Sequence, residues 1–197
     1  MKLENIKLEG KKVLMRVDFN VPLNKAFELT DDTRLKGAIP TINYILEQGA
    51  SLILMSHLGR PQKKKKADGT IDRSRFSLRP IVNPLSSLIN KPVVFVEDTI
   101  GTRVQKAVAA LQPGTVLVLE NTRFYPEESA GDQSFAKELA SLAEVYVNDA
   151  FGTAHRAHAS TYGVAELIPD RAAGYLIHKE LEFLGQKTES PDRPFIV

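Results

Sequence analysis

Five short aliphatic runs punctuate the chain: KVLMRVD (12–18), SLILMS (51–56), PVVFVED (92–98), TVLVLE (115–120) and EVYVND (144–149). They are nearly continuous in apolar residues rather than alternating, the pattern of strands buried on both faces of a parallel sheet. Between them, residues 32–47, 77–89, 102–111 and 133–142 carry apolar positions at helical spacing, with Asp, Ser or Thr available as caps and Gly49 as a stop. Strand and helix in repetition, joined by right-handed crossovers, predict an α/β domain, a three-layer Rossmann-like fold with a parallel sheet flanked by helices. Pro40 and Pro84 fall inside two of these helices, where a missing donor should kink or shorten them.

Composition narrows the function classes. With 43% hydrophobic residues in 197, the chain can bury a core of one large domain or two small ones. No stretch approaches the roughly 20 apolar residues of a membrane span, and the charged start MKLENIKLEG is unlike a secretory signal, so a cytoplasmic protein with no membrane partner is expected. Absence of cysteine removes disulfides, thiolate metal sites and a cysteine nucleophile. A net charge of +2 is too small for a general polyanion binder, which makes the placement of the 11 arginines decisive. The polar segment 59–75 contains Lys63–Lys66 in a row, but no aromatic residue is interleaved to stack on bases, so it reads as a solvated loop and not as a nucleic-acid surface.

In open parallel sheets ligands bind beyond the carboxyl ends of the strands. The first run leads into Arg16, Asp18 and Asn20, the second into His57, Gly59 and Arg60, and the fourth into Arg123. The fifth leads into NDAFGTAHRAHAS, with His155, Arg156 and His158, while Arg34 opens the first helix. One arginine after a strand is commonly a surface ion pair, but four of five strands end this way. Asp18 and Asn20 are either turn residues before Pro22 or groups that orient a hydroxyl. Arginine forks pair with phosphate and carboxylate through two parallel hydrogen bonds, and Gly59 and Gly152 would let backbone approach a phosphate closely.

Rival readings of the HRAH segment are weaker. Two histidines three apart on a helix could ligate a metal, yet Arg156 between them repels a cation and no carboxylate lies near in sequence. Ser160 as a nucleophile lacks the GxSxG turn. A structural histidine pair remains possible beside the favoured small, multiply charged anion. Neither GxxxxGK[ST] nor GxGxxG occurs, so the usual nucleotide cradles are missing.

RVDFNVP, TRLKGAIPTI, SHLGRP, LENTRF and VNDAFGTAHRAHAS, in this order from about residue 5 to residue 197, resemble the motifs of the phosphoglycerate kinase family. The resemblance implies a glycolytic enzyme of two domains that moves a phosphoryl group reversibly between 1,3-bisphosphoglycerate and ADP, giving 3-phosphoglycerate and ATP. Residues 1–186 match the glycerate-binding domain and 187–197 the hinge and first strand of a nucleotide-binding domain. On matching positions, the substrate-binding residues are Asp18, Phe19, Asn20, Arg34, His57, Leu58, Gly59, Arg60, Arg123 and Arg156, with Arg34 also catalytic. Arg16, His155 and His158 complete a supporting basic patch. The magnesium nucleotide, Mg-ATP or Mg-ADP, belongs to the other domain; this chain itself would bind 3-phosphoglycerate or 1,3-bisphosphoglycerate, hold no metal or cofactor, and be inactive alone. A monomer closing about a hinge is expected. The alternative, from a different class, is a noncatalytic anion or nucleic-acid binding module using the same rim and the lysine run.

Overall fold

The structure, a computed structural model, describes residues 2–189, and of 185–189 only the helical course of the backbone. The strand expected in 187–197 lies outside the described residues, and the expected boundary at 186 falls within a helix that runs from Tyr175 to Glu189.

Among the described residues six strands form one parallel sheet: β1 (Lys12–Val17), β2 (Ser51–Met55), β3 (Val93–Phe95), β4 (Val116–Val118), β5 (Val145–Asp149) and β6 (Asp170–Ala173), in the order β3-β4-β2-β1-β5-β6. The chain winds from β1 toward one edge and then crosses to the other side of β1 for β5 and β6. That reversal places a crevice at the carboxyl ends of β1 and β5.

The longer helices are α1 (Thr33–Glu47), α3 (Val82–Ile89), α4 (Thr102–Ala109), α6 (Gln133–Ala140) and α9 (Tyr175–Glu189). Single turns complete the set: α2 (Arg73–Phe76), α5 (Pro126–Ala130), α7 (Phe151–Ala154) and α8 (Val164–Leu167). Strand residues alternate between two cores, as the period of two requires. Val13, Met15 and Val17 pack with Ile42 and Ile45 of α1 and Leu85 of α3 on one face. Leu14 and Ile53 meet Val104 of α4 and Phe135 and Leu139 of α6 on the other. Burying each such aliphatic side chain contributes about 1.5–3 kcal/mol, which is why these positions set the layer order.

The two prolines are accommodated differently. α1 runs through Pro40. Pro40 shares the exposed face with Lys36, whose carbonyl loses its donor where water can replace it. α3 begins only at Val82, after a 3-10 turn at Arg79–Ile81, so Pro84 sits in the first turn, where an amide has no acceptor to lose.

One buried joint ties the sheet to α9. Asp149, the last residue of β5, accepts from the Thr41 hydroxyl of α1 at 2.6 Å and from the amides of Leu176 and Ile177 at 2.9 and 3.2 Å. Thr41 Oγ1 accepts in turn from the Tyr175 amide at 2.9 Å. Burial pushes the Asp149 carboxyl above its ordinary range while these hydrogen bonds oppose the rise. At Gly174 a Cβ would lie 2.4 Å from that carboxylate, so only glycine fits.

Candidate anion site at the carboxyl edge of the sheet

Each strand delivers its polar residues to the rim through a loop that the others brace. Asn121, fully buried after β4, accepts from the Leu58 and Arg123 amides at 3.2 and 3.0 Å and donates to the carbonyls of Leu58 and Phe76 at 2.8 and 2.9 Å. It thereby locks the loops after β2 and β4 together. Asn20, after β1, accepts from the Gly59 amide at 2.8 Å, and Arg123 donates to the Gly59 carbonyl at 2.9 Å. Gly59 is thus held on both sides, with φ +62°. A Cβ there would approach the Phe76 ring to 2.7 Å, so the glycine answers first to the turn and the packed ring. At Gly152, a Cβ would meet Asp18 Oδ2 at 3.3 Å.

Arg16 sits at an even position of β1, in line with Leu14, and is fully buried. Its Nε donates to Ser160 Oγ at 2.9 Å and Nη2 lies 3.0 Å from His57 Nδ1; Nη1 donates to the Val17 carbonyl. Ser160 is anchored by Glu128, whose carboxylate accepts from the Ser160 hydroxyl at 2.5 Å and from its amide at 2.9 Å. Glu128, also fully buried, is the carboxylate behind the cationic rim. The sequence pattern, in which no acid is close to HRAH, did not reveal it, because α5 brings it in from thirty residues away.

Charge at the rim comes from arginine. Burial, reinforced by the fields of Arg16, Arg123, Arg156 and Arg34, pushes the His57 pKa down to about 2, so the ring is neutral. Since a guanidinium only donates, Nδ1 accepts and the proton resides on Nε2. His158 is also shifted downward, by burial and by Arg123, Arg156 and Arg16, with Glu128 opposing. Its Nδ1 lies 3.8 Å from Glu128 Oε1, beyond hydrogen-bonding distance. His158 therefore adds a neutral wall, in contrast to the supporting charge expected from the sequence. His155, an exposed residue ending α7, stands apart from it: the two histidines occupy different turns rather than one helix face.

Arg60, Arg123, Arg156 and His158 line one cavity of about 450 Å³ together with Ser129 and Lys63. The Arg156 Nε and His158 Nδ1 atoms of two of these residues are buried without a hydrogen-bond partner. An orphaned buried donor such as the Arg156 Nε is costly to leave unpaired. Asp18 and Arg34, which do not line this cavity, form an ion pair with each other. The side chains of Phe19 and Leu58 are buried in the core instead, so any part they take in binding is through main chain. Both Leu58 backbone polar groups already bond Asn121, and the Phe19 amide donates to Ser56 Oγ at 2.9 Å. Among the described residues no cluster of three His, Asp or Glu is placed to hold a metal ion, and no helix is long and apolar enough to cross a membrane.

Fold and rim together define a doubly wound α/β domain with an arginine-lined cavity among the loops at the carboxyl ends of its strands. The phosphoglycerate kinase family model matches residues 3–197, and the chain belongs to that family. Phosphoglycerate kinase of Chlorobium phaeovibrioides is 56% identical over 194 residues, covering 98% of this chain and 47% of the relative, and that of Moorella thermoacetica is 54% identical with the same coverage. Among solved structures, phosphoglycerate kinase from Pyrococcus horikoshii superposes with a TM-score of 0.85 at 31% identity over 98% of this chain and 47% of the other. The structure from Coxiella burnetii gives 0.80 at 36% identity, covering 98% and 46%. The chain spans about half the length of the curated relatives it matches.

Proposed function

We propose that this chain is the glycerate-binding half of a glycolytic phosphoglycerate kinase, taking 3-phosphoglycerate or 1,3-bisphosphoglycerate at the rim. The observation that carries the reading is the cavity lined by Arg60, Arg123 and Arg156 with a buried, unpartnered Arg156 Nε. A terminal phosphate fits there, where planar guanidinium forks and a neutral His57 beside Arg16 supply donors without losing charge near neutral pH. Asn20 and Asp18 then face the glycerate backbone and hydroxyl, and Arg34, paired with Asp18, lies toward the carboxyl end, where it stabilises charge on the transferring group.

Transfer to or from a carboxylate requires no general base, because that acceptor is already ionised at neutral pH. The work of these residues is positioning and electrostatic stabilisation in a site that excludes water on closure. Mg-ATP or Mg-ADP is assigned to a carboxy-terminal nucleotide-binding domain, with the two halves closing as a cytoplasmic monomer about a hinge.

Thermal melts with and without 3-phosphoglycerate test the binding half of this reading, since a ligand of the native state alone raises the midpoint. A shift is expected for this chain and its loss for Arg123→Ala. A coupled assay showing appreciable ATP formation by this chain alone would overturn the division between halves.

A further inference from the structure

The four-lysine run 63–66 is exposed, as expected of a solvated loop, and the loop is closed by its own backbone bonds. Lys65 bridges Ile71 in antiparallel fashion, and the Lys66 amide donates to the Thr70 carbonyl at 2.8 Å, making a small strap. At its root successive lysines diverge. Lys63 lines the arginine cavity, whereas Lys64 lines a second cavity of about 520 Å³ on the other side of the strap. Gly59 and Asn20 form the wall next to the rim.

This second cavity has a distinct chemistry. Among the described residues none of its cations, Lys25, Lys64 and Arg75, has a carboxylate within ion-pair distance, and Asp72 is its one acidic lining residue. Asp72 is itself engaged with the Ser74 hydroxyl at 2.6 Å. Two aromatic rings complete the lining. Phe76 forms the buried floor, and Phe27 is 39% exposed at the mouth. Phe27 has φ +61°, a left-handed conformation that a bulky residue adopts only at a cost. Asn24 maintains it, its Oδ1 accepting from the Ala26 and Glu28 amides at 2.8 and 3.0 Å while its carbonyl accepts from the Phe27 amide at 3.1 Å. An exposed aromatic residue is held over a cleft that three cationic side chains share with apolar and neutral polar residues.

We propose that this cleft is a second ligand site, separate from the arginine cavity, for an aryl polyanion: a flat apolar ring bearing two or more phosphate-type charges. Its volume lies within the range of small-molecule pockets. Lys25, Lys64 and Arg75 meet the charges, and Phe27 and Phe76 meet the ring. Neither group alone explains the pairing, since a bare inorganic anion gains nothing from the rings and an uncharged ring leaves three cations unmatched.

The probe is 1,3,6,8-pyrenetetrasulfonate, titrated against the 197-residue chain and followed by fluorescence anisotropy. Saturable binding is expected, weakened at least tenfold in the double variant Lys64→Ala/Arg75→Ala, several-fold in Phe27→Ala, and by less than twofold in Arg156→Ala, which lines the arginine cavity alone. These side chains at the second site are exposed, so their removal leaves the fold intact. Absence of saturable binding would overturn the proposal. So would loss of binding in Arg156→Ala with the double variant unaffected, which would move the probe into the arginine cavity. An unchanged affinity in Phe27→Ala, with inorganic triphosphate competing as well as the probe binds, would refute the aryl assignment.

Discussion

Arg16 Nη2 lies 3.0 Å from His57 Nδ1, and neither side chain is open to solvent. The arginine cannot accept, so the pair exists only while His57 is neutral. In the folded protein the His57 pKa is about 2, against about 6.5 in an unfolded chain. Below pH 6.5 the unfolded state therefore binds more protons than the folded one, and stability is lost as pH falls, at a slope approaching about 1.4 kcal/mol per pH unit for this group. Denaturant melts between pH 7 and pH 4 should show the loss. His57→Asn, whose Oδ1 can stand where Nδ1 accepts, should have a shallower pH slope, and an unchanged slope would place the acid sensitivity elsewhere.

Glu128 is the counter-charge of the buried arginine network. Glu128→Ala removes the acceptor for the Ser160 hydroxyl and amide and leaves Arg16 with an unanchored partner. Breaking a buried charged network in this way typically costs about 3–5 kcal/mol. Glu128→Gln, which keeps one acceptor but turns a donor toward Ser160, should cost less than the alanine variant. Equilibrium unfolding in urea distinguishes the two, and equal stability of wild type and Glu128→Ala would deny the carboxylate this role.

Gly59→Ala should be destabilising by about 1–3 kcal/mol, because the left-handed backbone and the Phe76 ring both exclude a Cβ. Anion affinity should fall with it, since Asn20 accepts from the Gly59 amide and Arg123 donates to its carbonyl. Adding Phe76→Leu relieves the contact but not the backbone strain, so it should restore only part of the stability.

Arg123 and Arg34 should separate binding from turnover. In a two-domain context Arg123→Ala is expected to weaken 3-phosphoglycerate binding by tenfold or more, whereas Arg34→Ala should lower kcat by a larger factor than it changes affinity. Calorimetry with steady-state kinetics measures both, and parallel losses in both variants would remove the division of labour.

The central strands were legible because continuous β-branched runs have few alternatives in an α/β chain. β6, Asp170–Ala173, was not: DRAA is short, half polar and lies at the sheet edge, where burial imposes no apolar run. Pro84 misled the boundary of α3 because a 3-10 turn precedes the helix and shares its apolar spacing. At the rim, arginine positions after the strands pointed to an anion, and Arg60, Arg123 and Arg156 do line one cavity. What stayed hidden were the residues that hold them, Asn121, Ser160 and Glu128, whose importance arises from burial and long-range partners. Likewise the neutrality of His57 and His158 follows from burial and neighbouring cations.

The Asp149–Thr41 joint has a mechanical consequence. α9 leaves the domain like a beam clamped at its root: two amides of its first turn bond Asp149, a third bonds Thr41, and Gly174 leaves no slack before them. Asp149 also ends the strand that carries the Arg156 loop, and Thr41 belongs to the helix that begins beside Arg34. A torque applied at the root of α9 therefore bears through two side chains on the strand that leads to Arg156 and on the helix that contains Arg34. Any swing of that helix must either bend it beyond its first turn or break the clamp.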